Sequence, residues 1–183
     1  MRKLALLTAV LAVVGIAAAY VLVSEPPWFE RLRYPLKYSL YVRVHAREND
    51  VDPALLAAVI YQESKFRPDA QSGSGAIGLM QLTPSTAHGI AIRTGGGRFT
   101  TSDLYDPEIN IRYGAWYLGN LFRKYHSERL VLAAYNAGQG NVDTWRARNE
   151  PIEFSETRAY VSRVEHLQRV YRRVWRKQLG YTS

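Results

Sequence analysis

With 183 residues, 47% of them hydrophobic, the chain has room for one domain core and a short appendage, and its composition is not that of a disordered polymer. The absence of cysteine excludes a disulfide framework, a thiolate zinc site, a cysteine nucleophile and a lipid-modified cysteine anchor. The four histidines show no H-E-x-x-H or EF-hand spacing, so neither a metal nor a cofactor is expected. Of the net charge of +8, two come from Arg2 and Lys3, leaving +6 for residues 24–183, as 22 basic minus 16 acidic.

Residues 4–23 follow that basic pair without a single charge, a length that would cross a bilayer as a helix. Ala17-Ala18-Ala19 offers a small-residue cleavage site, but the apolar run continues through Tyr20-Val21-Leu22-Val23. Residues 1–23 are therefore expected to be a signal-anchor or signal peptide that places the rest outside the cytoplasm, periplasmic or extracellular, and secreted if cleaved. Ser24-Glu25-Pro26-Pro27 breaks the run, and residues 24–35, with Trp28, Phe29 and Tyr34, read as a juxtamembrane linker.

From there to Ser183 the pattern is helical. A helix is expected over 36–47, closed by Asn49-Asp50. Asp52 then caps another with Pro53 at its first position, and Asp106-Pro107 repeats the device. Thr83-Pro84 opens a shorter helix, and Ser127 caps one over 128–135 that Ala137-Gly138 closes. Residues 90–101, with Gly95-Gly96-Gly97 at the apex, read as an irregular β or loop excursion. Between Arg158 and Lys177, seven basic residues and one acid interleave with apolar positions at steps of three and four, giving an amphipathic helix with a basic outer face. Export argues against nucleic acid as its partner and favours anionic lipid headgroups or cell-wall polymers, or plain solvent. The fold class is all-α, a compact domain of six to eight helices over 36–183.

One residue stands out in this pattern. Leu56, Val59, Ile60 and Glu63 fall at i, i+3, i+4 and i+7, so an acid shares a helix face with three core-type side chains. An apolar surround and the negative end of the helix dipole both disfavour its ionised form, and a carboxylic acid that stays protonated near neutral pH can act as a general acid. The alternative is a surface glutamate paired with Lys65 or Arg67. Downstream, Gly73, Gly75 and Gly78 permit close backbone approach, and Ser72 and Gln81 offer neutral hydrogen-bonding groups. No Asp or Glu occurs between Ala70 and Ser102, which leaves this half of the site with one carboxylate instead of the pair most glycosidases use.

Four segments in order, Glu63-Ser64, Gly78-Leu79-Met80-Gln81, Ala134-Tyr135-Asn136-Ala137-Gly138 and Glu156-Thr157-Arg158-Ala159-Tyr160-Val161, resemble the catalytic domain of soluble-lytic-transglycosylase-like (SLT) enzymes, relatives of goose-type lysozyme. The resemblance covers roughly residues 36–176 and implies a lysozyme-like α fold acting on peptidoglycan glycan strands. It implies Glu63 as sole acid and base in a non-hydrolytic cleavage that leaves 1,6-anhydro-muramoyl ends. It places Ser72 near the N-acetyl group and Met80 and Gln81 along the glycan groove. Tyr135 falls at the tyrosine near the catalytic acid, Asn136 in the same turn, and Glu156 at a supporting groove glutamate. Gly73-Ser74 and Ile77 depart from the common pattern. A lysozyme-type hydrolase and a non-catalytic peptidoglycan-binding module are the alternatives.

Overall fold

The computed structural model describes residues 2–181; within the first helix it describes the side chains at 2, 3, 6, 7, 10–16, 19–21, 23 and 24. Contacts divide the chain into two compact units, Met1–Pro35 and Leu36–Ser183.

The first unit holds α1 (Arg2–Ser24) and α2 (Pro27–Arg33). Among the described residues no helix is long and apolar enough to cross a membrane. The spanning segment expected at 4–23 is thus not borne out: it forms a helix, but seven of its positions (4, 5, 8, 9, 17, 18 and 22) lie outside the described side chains. The same holds for two of the three alanines of the cleavage site. Residues 24–35, expected as a linker, contain α2, because Pro27 sits at the first helical position, where a missing N–H costs nothing.

The second unit is all-α. It contains α3 (Ser39–Glu48), α4 (Pro53–Ser64), α5 (Pro84–Thr94), a 3-10 turn (Thr101–Tyr105), α6 (Pro107–Tyr125), α7 (Glu128–Ala137), α8 (Gln139–Ala147) and α9 (Ser155–Val174). Three starts follow the expected chemistry. The side chains of Asp52, Thr83 and Asp106 accept from Ala54, Thr86 and Ile109 N–H, each ahead of a proline. Ser127 precedes α7 without a side-chain cap. The excursion expected over 90–101 is corrected: helix continues to Thr94 and ends where Gly95 takes φ 78°.

α4 lies at the centre. Every side chain from Ala54 to Ile60 is at most 1% exposed, and each fully buried Leu or Ile there contributes roughly 2 kcal/mol. α9 packs along it, α7 packs on α9 and α6, and α3 packs on α4 and α6. α9 carries the expected amphipathic pattern: Tyr160, Val161, Val164, Leu167, Val170, Tyr171 and Val174 are buried, while its arginines face outward. The effect is to bring two helices of distant sequence side by side at the C-terminal end of α4.

Candidate active site

Glu63 occupies the last turn of α4, just before Lys65 ends the helix in the left-handed conformation at φ 56°. The residue keeps some exposed surface, yet its carboxyl is crowded. Burial lifts its pKa from the ordinary 4.5 to about 7, against the opposing pull of a hydrogen bond from Tyr160 and the charge of Lys65. The Tyr160 hydroxyl donates to Glu63 Oε1 at 2.6 Å from the first half of α9. Among the described residues Glu63 forms no ion pair with Lys65 or Arg67: its hydrogen-bond partner is a tyrosine, and Lys65 acts on it only through its charge.

The segment after α4 is a hydrogen-bonded cage built on the Gly78-Leu79-Met80-Gln81 turn. Isolated antiparallel bridges join Gln71 with Ile77 and Ile77 with Leu82, which is where the extended backbone falls instead of at 90–101. Gly78 has φ 81°, and a Cβ there would meet Asn110 Nδ2 at 2.2 Å and the Leu104 carbonyl at 2.3 Å. Asn110, fully buried on α6, fixes the turn. Its Oδ1 accepts from Met80 N–H at 2.7 Å, and its Nδ2 donates to the carbonyls of Ile77 at 3.0 Å and Leu104 at 2.8 Å. Ser64 Oγ donates to the Leu79 carbonyl at 2.8 Å, so the turn is fastened to the helix that carries Glu63.

Tyr135, at the end of α7, donates to the Met80 carbonyl at 2.8 Å, and its ring lies 5.6 Å from that of Tyr117 on α6. Burial, and then the charge of Glu63, push the Tyr135 and Tyr160 hydroxyls well above their usual pKa, so both stay protonated donors beside the acid. Gln81 is held at φ 47°, with its amide donating to the carbonyls of Ala70 at 3.1 Å and Gly78 at 2.9 Å. Ser72 is likewise engaged in its own loop. Its hydroxyl accepts from Ala76 N–H at 3.0 Å and shares a hydrogen bond with Ser74 at 2.9 Å.

Two expectations need adjusting. Met80 does not line an open groove: it is fully buried, and only the missing side chain of Gly114 makes room for it, since a Cβ there would lie 2.1 Å from its sulfur. Asn136 and Glu156 make no hydrogen bond to the acid among the described residues. Asn136 Oδ1 accepts from Thr157 Oγ1 at 2.8 Å, which ties α7 to α9, while Glu156 is exposed in the first turn of α9. Among the described residues no hydrogen bond joins Ser72, Asn136 or Glu156 to Glu63.

Sequence reasoning missed three things here. Tyr160 reads only as part of an apolar stripe, Asn110 in the first turn of α6 draws no notice, and Trp116, Tyr117 and Asn120 are given no role. The last three line, with Thr86, Arg93 and Gln139, a cavity of about 340 Å³ between α5 and α6, and the Tyr117 ring in that lining lies 5.6 Å from the ring of Tyr135. Aromatic faces with amide and hydroxyl groups suit a sugar. Among the described residues no group of His, Asp or Glu is arranged to hold a metal ion.

Residues 41–157 match the model of the Transglycosylase SLT domain. The chain is 35% identical over 152 residues to the soluble lytic murein transglycosylase of Escherichia coli, covering 76% of this chain and 24% of that protein. It is 42% identical over 100 residues to membrane-bound lytic murein transglycosylase F of Yersinia pestis, covering 51% and 19%. The crystal structure of the 70 kDa soluble lytic transglycosylase of E. coli superposes with a TM-score of 0.76 at 31% identity, covering 85% of this chain and 27% of the other; its complex with bulgecin A gives 0.76 at 32%. The chain thus spans about a fifth to a quarter of the length of these longer relatives. The resemblance read from the four segments is borne out, and the chain belongs to the transglycosylase SLT domain family.

Proposed function

We propose that this chain is a peptidoglycan lytic transglycosylase that cleaves the β-1,4 bond between N-acetylmuramic acid and N-acetylglucosamine. The observation that carries this reading is a half-buried carboxyl with a pKa of about 7, held by Tyr160, with no second carboxylate acting on it among the described residues. Protonated Glu63 gives its proton to the glycosidic oxygen as the bond to C1 breaks. The resulting carboxylate then takes the proton of the muramoyl C6 hydroxyl, whose oxygen bonds to C1 and closes the 1,6-anhydro ring. No water is consumed, and Glu63 ends protonated, ready for another cycle. A single acid suffices because the substrate supplies the nucleophile.

The relatives named as murein transglycosylases support an envelope location. A membrane-held N-terminus is supported by the charge-free run at 4–23 and by the exposed apolar side chains of α1, among them Leu6, Leu11, Val13, Ile16 and Val23. Release of the protein from membranes by alkaline carbonate would refute that attachment.

Mass spectrometry of purified glycan strands after digestion tests the reaction. Anhydro-muramoyl ends are expected with the wild type and none with Glu63→Gln. Reducing muramoyl ends alone would show a lysozyme-type hydrolase, and no new ends of either kind with the wild type would leave a binding module.

A further inference from the structure

The cavity between α5 and α6 shares its lining with a second, and the second with a third. Trp116 also lines a cavity of about 390 Å³ together with Glu48, Arg112 and Tyr113. Arg112, Tyr113, Gly95 and Gly96 belong in turn to a cavity of about 430 Å³ that takes in Arg98 and Asp103. The loop that walls both is pinned. Gly96 N–H donates to the Ala91 carbonyl at 2.8 Å, Phe99 N–H donates to the Gly96 carbonyl at 2.9 Å, and the Phe99 ring lies 5.3 Å from that of Tyr113. Both acids in these linings are already engaged, Asp103 with Thr100 N–H at 2.7 Å and Glu48 with the buried His45 ring at 2.8 Å. Arg98 and Arg112 are exposed and belong to no ion pair among the described residues. The Arg112 guanidinium lies 5.6 Å from the centre of the Tyr113 ring, another member of the same wall. Two guanidinium groups on one cavity whose acids are occupied favour an anion, and the planar fork of arginine matches a carboxylate.

We propose that Arg98 and Arg112 form a carboxylate-recognising subsite for the peptide arm of a saccharide other than the one cleaved. This rests on the transglycosylase reading. The N-acetylated glycan backbone is uncharged, so the carboxylates of a strand are on its lactyl-linked peptides. A sugar in the α5–α6 cavity has Trp116 as a wall in common with the next cavity, and an arm that leaves the sugar along that ring meets Arg112 and then Arg98. Trp116 and Tyr113 offer the arm aromatic contact, and Gly95-Gly96-Gly97 puts no side chain in its way. Neither of the two further linings includes Glu63, Tyr135 or Tyr160, so the subsite acts on strand binding and not on the proton transfers.

The test compares kcat/KM on strands with free peptide carboxylates and on the same strands after amidation of those carboxylates. The wild type is expected to favour the free-carboxylate strands about tenfold at low salt, the loss on amidation residing in KM and shrinking as salt is added. In the Arg98→Gln/Arg112→Gln double variant the ratio should fall to near one. Gly97→Glu, which adds an acid to the lining where a Cβ meets nothing within 4 Å, should lower it as well. A wild-type ratio near one, a double variant that still discriminates, or a Gly97→Glu that discriminates as the wild type does overturns the subsite. If a variant turns over too slowly, the same ratios are read as strand binding in a Glu63→Gln background. Failure of the functional reading looks different: the wild type then yields no anhydro ends from either strand.

Discussion

Replacing the proposed catalytic acid by its neutral isostere, Glu63→Gln, should stabilise the protein, and only on the alkaline side. The native carboxyl titrates at about 7, whereas in the unfolded chain it takes the ordinary 4.5. Below pH 4.5 both states hold the proton, and Glu63 contributes nothing. Between 4.5 and 7 unfolding releases a proton that the native state keeps, so stability falls as pH rises, and above 7 the full cost persists. A rise of about 2.5, at about 1.4 kcal/mol each, is roughly 3 kcal/mol. Glutamine removes that cost while its amide oxygen still accepts from Tyr160, though the bond is weaker without the charge, so about 2 kcal/mol should remain. For a domain of this size that is a gain of roughly 4–8 °C in Tm at pH 8, with almost none at pH 4. Thermal unfolding followed by circular dichroism at the two pH values measures it. An equal gain at both, or a loss at pH 8, would refute the reasoning that the site stores its acidity as buried, destabilised charge.

The same carboxyl sets the alkaline limb of activity: with Glu63 as proton donor, the rate should fall about tenfold per pH unit above about 7. Tyr160→Phe removes the bond that favours the ionised form, so the limb should move upward by about one pH unit while kcat drops; a limb that stays put would exclude Tyr160 from tuning the acid. Gly78→Ala adds a Cβ against Asn110 and a backbone carbonyl at φ 81°, and should lower stability by about 3 kcal/mol or more, seen as a fall in Tm of roughly 10 °C. Gly73→Ala in the same loop meets open space and should be nearly neutral, so equal losses in the two variants would contradict the cage.

What the sequence revealed and what it hid divide along a physical line. Asp52-Pro53, Thr83-Pro84 and Asp106-Pro107 were legible because a cap and its helix interact within three residues. The face of Glu63 was legible because helical periodicity is local, and Leu56, Val59 and Ile60 are indeed fully buried. α8 was not foreseen: it follows Gly138 without a side-chain cap and begins Gln-Gly-Asn, a loop-like start that packing against α7 overrides. Tyr160 lies 97 residues from the carboxyl it bonds, and nothing local distinguishes its hydroxyl from that of any tyrosine on an apolar stripe. Asn110 is similar, since two of its three bonds exist only once α6 meets the glycine turn. Met80 was misread because its motif neighbours suggested a groove, while the space it fills depends on Gly114, thirty-four positions away.

The carboxyl and the hydroxyl that tunes it ride on α4 and α9, two helices that touch along their lengths. Acid strength here is therefore a property of a helix–helix interface, set by how far apart two rods are held, and not of a loop that closes on sugar. A bond of 2.6 Å tolerates little displacement before it weakens, and close-packed interiors transmit small volume changes. Tyr171, fully buried on α9 with its ring 6.1 Å from that of Tyr61 on α4, thereby holds a share in the pH at which this domain works.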